Sequence, residues 1–201
     1  MPSSIAGVLL AGGKARRMGG GDKCLCELAG EPLLAHAIAR AEPQVAALAI
    51  NANGDAARFA AFGLPVIADT IANHAGPLAG VLAGMDWAAA HASHVASFAT
   101  DAPIFPADLV ARLAAAIGDG ADIACASSNG RVHPVFALWP VVLREDLRRA
   151  MQDEGVRKVD IWTARYCLAE VAFEADRYDP FFNANKPDDL ARAEDILARI
   201  G

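Results

Sequence analysis

Short runs of consecutive apolar residues alternate along this chain with longer stretches whose apolar positions recur every three or four residues. The first run, Ile5–Leu10, is apolar or small throughout and ends at a pair of glycines after Ala11. Because it is apolar at every position rather than every second one, it suits a strand covered on both faces. Residues 32–41 follow with Leu33, Leu34, Ala37 and Ile38 at helical spacing. The alternation continues with a strand over 45–51, a helix-prone stretch over 55–62 and a brief strand over 65–68. Residues 78–90 predict a helix with Leu78, Val81, Leu82, Met85 and Ala89 on one face. His94–Ala99 reads as a strand, and 106–117 as a helix opening on Pro106 and closing at Gly118. Further strands are expected over 122–126, 135–139 and 167–173, and the Arg144 to Arg149 cluster as a charged helix face. Pro187–Ile200 reads as a closing helix, with Asp188 and Asp189 set against the positive end of its dipole.

Strands and helices in this order, the strands apolar on both faces, predict the α/β class: a mostly parallel sheet covered by helices. No internal repeat, low-complexity tract or linker interrupts the 201 residues, so residues 1–201 are expected to form one domain.

The net charge of −6 has the wrong sign for general binding to nucleic acid or to an anionic membrane surface. The apolar stretches are too interrupted to span a bilayer. Ile5–Leu10 is short and carries its cations after it, unlike a secretory leader. Cys24, Cys26, Cys125 and Cys167 form no paired framework, which leads us to expect reduced thiols in a cytoplasmic protein. Cys24 and Cys26 also lack the second cysteine pair of a structural zinc site.

Residues 8–23, VLLAGGKARRMGGGDK, depart from this acidic background. Lys14, Arg16, Arg17 and Lys23 face a single carboxylate, Asp22, so a small anionic ligand is indicated. A dinucleotide fingerprint needs G-x-G-x-x-G, but Gly12 and Gly13 are adjacent. A Walker loop needs a lysine directly after its last glycine and then Ser or Thr; here Asp22 intervenes and Cys24 follows. The glycines let backbone N–H groups approach phosphate oxygens, and Arg17 and Lys23 can neutralise them. This is a phosphate cradle of a third kind.

From Leu10 to Lys23 the loop resembles the signature of the nucleotidyltransferases built on a three-layer Rossmann-like fold with a mostly parallel, mixed sheet. Within that superfamily the chain is most similar to the molybdenum cofactor guanylyltransferases. Five further stretches carry the narrower resemblance: Asn51-Ala52-Asn53, Asp69, Gly76-Pro77-Leu78-Ala79-Gly80, Thr100-Asp101-Ala102-Pro103 and Asn183-Ala184-Asn185-Lys186-Pro187.

The resemblance implies transfer of GMP from GTP to the terminal phosphate of molybdenum-molybdopterin, with release of pyrophosphate and with Mg2+ as metal. It also implies handover of the product to molybdoenzymes or their chaperones. Arg17 and Lys23 would stabilise the triphosphate, and Asp101 would ligate the magnesium. Leu10, Ala11 and Gly12 would meet the nucleotide through backbone, and Asn51, Asp69, Gly76 and Gly80 would complete its pocket. Asn183, Asn185 and His133 would lie toward the acceptor. Plainer roles stand beside these. Asp101 before Ala-Pro can cap a turn, Asn51 can close a strand, Asn185 can cap the last helix, and a lone histidine is commonly structural. A cytidylyltransferase of the same cofactor, another NTP transferase and a non-catalytic nucleotide-binding or chaperone module are the competing readings.

Overall fold

Strand β1 (Ile5–Leu10) has its interior residues buried on both faces, as an uninterrupted apolar run requires. It runs parallel to β4 (Ala47–Asn51) on one side and to β6 (His94–Ala99) on the other. In this computed structural model, which describes residues 4–12, 21–71, 76–175 and 177–200, these strands form the middle of a seven-stranded sheet. Its order is β5 (Val66–Ile67), β4, β1, β6, β8 (Arg131–Pro140), β7 (Ile123–Ser128), β9 (Leu168–Ala172). Only β8 opposes its neighbours; every other pairing in the sheet is parallel. The sheet is therefore mixed and mostly parallel.

Helices cover both faces. On one side α1 (Leu33–Ala41) and α3 (Leu109–Gly118) pack on a cluster that includes Phe59, Phe98, Phe105, Phe136, Phe173 and Phe181. On the other, α2 (Pro77–Ala88), α4 (Arg144–Gln152) and α5 (Val159–Thr163) enclose Trp139, Trp162 and Met85. A short hairpin of β2 (Glu27–Leu28) and β3 (Glu31–Pro32) joins α6 (Pro187–Ile200) over Leu28, Leu33 and Ala193. The result is a three-layer α/β/α arrangement. Two glycines, Gly80 and Gly84, set the approach of α2: a Cβ on Gly84 would lie 2.8 Å from Val8 Cγ1, so any side chain there would force the helix or Val8 to shift.

Helix α5 and the β2–β3 hairpin lie outside the sequence-based expectation, and three further departures bear on the site. Helix α3 starts at Leu109 rather than Pro106, and Leu109 N donates to Pro106 O at 3.3 Å in a turn ahead of it. Residues 55–62 form a 3-10 run, Ala56–Phe62, capped by Asp55 and closed by Gly63 at φ 67°. Strand β8 begins at Arg131, not Val135, because Asn129 (φ 49°) and Gly130 (φ 71°) make a tight β7–β8 hairpin. Within it, β7 partners jump from Ala137 to His133 across the single step from Cys125 to Ala126. Residues 134–136 are thus left without β7 partners, which is how a proline is accommodated inside a strand.

Candidate active site

Parallel strands present their carboxyl ends together, and in open α/β sheets ligands bind at that edge. Here the ends of β1, β4 and β6 open on a cavity of about 570 Å³, large enough for a nucleotide. β1 contributes Leu10 and, just past it, Gly12; β4 contributes Asn51 and the following Asn53. Asp69 follows β5, Gly76 and Pro77 open α2, and Thr100 and Asp101 follow β6. Lys23 and Asn183 close the wall from the loop before β2 and from the segment before α6. A larger cavity of about 830 Å³ lies between α1, α3 and residues 172–180. It holds none of the expected site residues, so size does not decide between the two.

At one end of the smaller cavity Lys23 Nζ lies 2.7 Å from Asp101 Oδ2, with side-chain exposures of 12% and 32%. The same ammonium donates to Asn185 Oδ1. Asn185 therefore spends its side chain on Lys23. Asp189, in the first turn of α6, reaches back instead, its Oδ2 accepting from Asn185 N at 2.9 Å and Lys186 N at 3.0 Å, the two residues just ahead of the helix. Ala184 N donates to Asp101 O at 2.7 Å and stitches this segment to the end of β6.

At the other end, both oxygens of Asp69 are held. Asn51 Nδ2 donates to Oδ1 at 3.0 Å, Asn53 Nδ2 donates to Oδ2 at 2.7 Å, and Asp69 N returns a bond to Asn53 Oδ1 at 2.9 Å. Asn51 Nδ2 also donates to Ile67 O at 3.2 Å, and its Oδ1 is packed against Gly80. A Cβ on Gly80 would fall within 2.7 Å of Leu10 Cδ2 and closer still to Asn51 Oδ1. Gly80 thus stands behind the wall and admits Asn51. Gly76, at φ 145°, caps the start of α2 in a conformation suited to glycine. The positive end of that helix dipole lies at the cavity.

Arg17, together with Gly13, Lys14 and Arg16, lies outside the described residues. Ala11 is buried beside the wall, its N donating to Asn51 O at 2.9 Å. His133 is not a wall residue: it is 5% exposed, stacked on Phe181 and hydrogen-bonded to Ser128. Burial holds its imidazole below the ordinary value. All four cysteines are free. Cys24 is buried against Ala11 O, and burial pushes its thiol up to about 12, which makes it inert.

Sequence reasoning named Asn53 and Thr100 only within stretches of the resemblance, without a role, and gave Val135 and Arg58 no place in the site. Asn53 had a legible signal, since it shares a strand-like face with Asn51 two residues before it. Thr100 Oγ1 donates to Leu10 O at 3.0 Å and ties β6 to β1. Val135 reaches the cavity because the irregularity in β8 displaces it, its carbonyl held by Ser97 Oγ at 2.7 Å. Arg58 Nε lies 2.6 Å from Asp22 Oδ2 without an aligned hydrogen bond, while its Nη2 donates to Asn53 O at 2.6 Å. It links the end of the glycine-rich loop to the opposite wall.

The profile of the MobA-like NTP transferase domain matches residues 7–166. A molybdenum cofactor guanylyltransferase of Rhodopseudomonas palustris (strain BisB5) is 58% identical over 196 residues, covering 96% of this chain and 93% of its own. One of Bradyrhizobium sp. (strain ORS 278) is 54% identical over 200 residues, covering 98% and 94%. Among solved structures, molybdopterin-guanine dinucleotide biosynthesis protein A of Archaeoglobus fulgidus superposes with a TM-score of 0.77 at 23% identity, over 97% of this chain and 100% of that one. A CMP:2-keto-3-deoxy-manno-octonic acid synthetase complexed with CTP gives 0.74 at 15% identity, over 98% and 99%, so the fold alone does not choose the base. At the level of sequence identity over nearly its whole length, the chain belongs to the molybdenum cofactor guanylyltransferases.

Proposed function

We propose that this enzyme transfers GMP from GTP to the terminal phosphate of molybdenum-molybdopterin, forming the guanine dinucleotide cofactor and releasing pyrophosphate. The observation that carries this reading is one cavity with a cation–carboxylate pair, Lys23 and Asp101, at one end and an anchored carboxylate, Asp69, at the other. Such a cavity can hold a triphosphate at the first end and a base with hydrogen-bond donors at the second.

A carboxylate such as Asp69 offers acceptors only, and Asn51 and Asn53 orient both its oxygens. Guanine offers an N1–H and an N2 amine side by side, a matching pair of donors, whereas cytosine offers a single amine. Asn51, whose amide nitrogen is shared between Asp69 Oδ1 and Ile67 O, acts by holding Asp69 rather than by reading the base. At the reacting end, an acceptor phosphate oxygen attacks the α-phosphorus, the bond to the bridging oxygen breaks, and the charge gathers on pyrophosphate. Lys23 supplies a positive charge for that developing anion once triphosphate oxygens replace Asp101 and Asn185 as its partners. Arg17 would join it from the glycine-rich loop. Asn183 and Asn185 would hold the acceptor. Most of such catalysis is positioning and electrostatic stabilisation.

The carboxylate of Asp101 suits magnesium. Among the described residues no cluster of three or more acidic, His or Cys side chains forms a protein cage. Magnesium ordinarily takes one or two carboxylates and completes its shell with phosphate oxygens and water. Bound there, it would neutralise triphosphate charge. Measuring pyrophosphate release with molybdenum-molybdopterin, magnesium and either GTP or CTP tests the reading directly. Turnover with GTP, at least about a hundred-fold above CTP, is expected from loss of a buried donor–acceptor match. Turnover with CTP alone would transfer the chain to a cytidylyl activity, and binding of GTP without turnover would favour a non-catalytic module.

A further inference from the structure

His133 lies beneath the acceptor-side segment rather than in the cavity, and it is joined to that segment through two other buried or half-buried groups. Its Nε2 is 2.7 Å from Ser128 Oγ, and Ser128 Oγ is 2.8 Å from Asp179 Oδ1. A hydroxyl has one hydrogen and an ionised carboxylate can only accept. The serine therefore donates to Asp179, and His133 donates from Nε2 to the serine. Asp179 Oδ1 also accepts from Phe181 N at 2.9 Å, which folds the chain into a turn immediately before Asn183. The His133 ring stacks on Phe181 at 4.5 Å between centroids, and Phe181 is 1% exposed among Phe136 and Phe173. Two residues on, Asn183 enters the cavity wall; four residues on, Asn185 meets Lys23.

The order of contacts is aspartate, serine, histidine, so the imidazole cannot serve as a general base aligned by the carboxylate. The group is also closed off: His133 and Ser128 are 5% and 2% exposed. What it does mechanically is fix residues 179–181 to the β7–β8 hairpin from two directions, by hydrogen bond and by ring stacking.

We propose that His133, Ser128 and Asp179 are positioning residues that set the geometry of Asn183 and Asn185 toward the acceptor. This inference rests on the acceptor assignment of the two asparagines made above. A hydrogen-bonded anchor less than one turn from a binding side chain controls its placement on the scale of an ångström, and such displacements alter binding and rate many-fold.

The test is steady-state kinetics with GTP and molybdenum-molybdopterin varied separately. Ser128→Ala, which leaves the ring in place, and His133→Phe, which keeps the stack and removes the hydrogen bond, should each raise the acceptor KM about ten-fold. The GTP KM should stay within about two-fold. Ser128→Thr, retaining a hydroxyl, should restore the acceptor KM. In a background carrying both Asn183→Ala and Asn185→Ala the Ser128→Ala effect should shrink below about two-fold, since it acts through those two side chains. A comparably destabilised variant on the other face of the sheet, Leu147→Ala, should move neither KM. If Asn183→Ala raises the acceptor KM but Ser128→Ala and His133→Phe do not, the positioning role is wrong and the acceptor assignment stands. If Asn183→Ala and Asn185→Ala both leave the acceptor KM unchanged, the acceptor assignment falls and the positioning role falls with it. Equal effects on both substrates in Leu147→Ala and Ser128→Ala would reduce the network to ordinary stability.

Discussion

Asp101 pairs with Lys23, and in the proposed reaction it would face a metal while Lys23 faces phosphate. The pair is partly exposed, so its contribution to stability is small. Activity in the proposed reaction, by contrast, depends on both charges. Asp101→Ala should therefore lower kcat by about a thousand-fold or more with a denaturation midpoint close to the parent, and Lys23→Ala by a similar factor. Arg17→Ala should fall in the same range if the arginine of the loop meets the triphosphate. The readouts are pyrophosphate release and urea unfolding. Full activity of the Asp101 variant would remove that residue from the reaction.

At the scale of elements, α2 approaches the sheet through glycines. Gly80 and Gly84 lie one turn apart and are both closed to a methyl group, but against different neighbours: Asn51 and Leu10 for Gly80, Val8 for Gly84. Substituting either with alanine forces a shift, at about 1–3 kcal/mol, offset in part by the better helix propensity of alanine. Only Gly80→Ala presses on the side chain that holds Asp69. It should therefore raise the GTP KM about ten-fold, whereas Gly84→Ala should lose stability while the GTP KM stays near the parent value. Similar GTP KM values in the two variants would detach Asn51 from nucleotide binding.

For the molecule as a whole, burial sets apart two imidazoles among the described residues. His94 and His133 both have pKa values held below the usual 6.5, in each case chiefly by burial. For a base whose folded pKa is lowered, the unfolded chain takes up its proton first as pH falls. The stabilisation is then present above about pH 6.5, is lost as pH drops toward the folded values, and levels off below them. Urea midpoints followed by circular dichroism should fall between about pH 7 and pH 5, and His94→Asn should flatten part of that slope. A midpoint independent of pH across this window would contradict the burial of both rings in solution.

The apolar runs made the strand order along the chain readable, and His94–Ala99 and Ile5–Leu10 have the expected bounds. The expectation stopped short where local pattern carries no signal. Residues 131–134 mix charge, histidine and proline, so β8 looks like a loop until the Asn129-Gly130 turn pairs it with β7. The five residues of α5 are too few to show a period. The candidate site divides the same way. Lys23, Asp101, Asn51 and Asp69 were legible because their residue types carry charge or paired donors and sit next to strand ends.

By itself the sequence determined the α/β alternation and the family, because these depend on composition and spacing within a few dozen residues. Only the tertiary structure decided which groups meet: that Lys23 holds Asp101 and Asn185, that Asn51 donates to Asp69, and that His133 reaches Asp179 through Ser128. Those contacts join residues as much as 162 positions apart in the chain. Their partners are chosen by sheet order and by helix approach, which no local pattern of residues encodes.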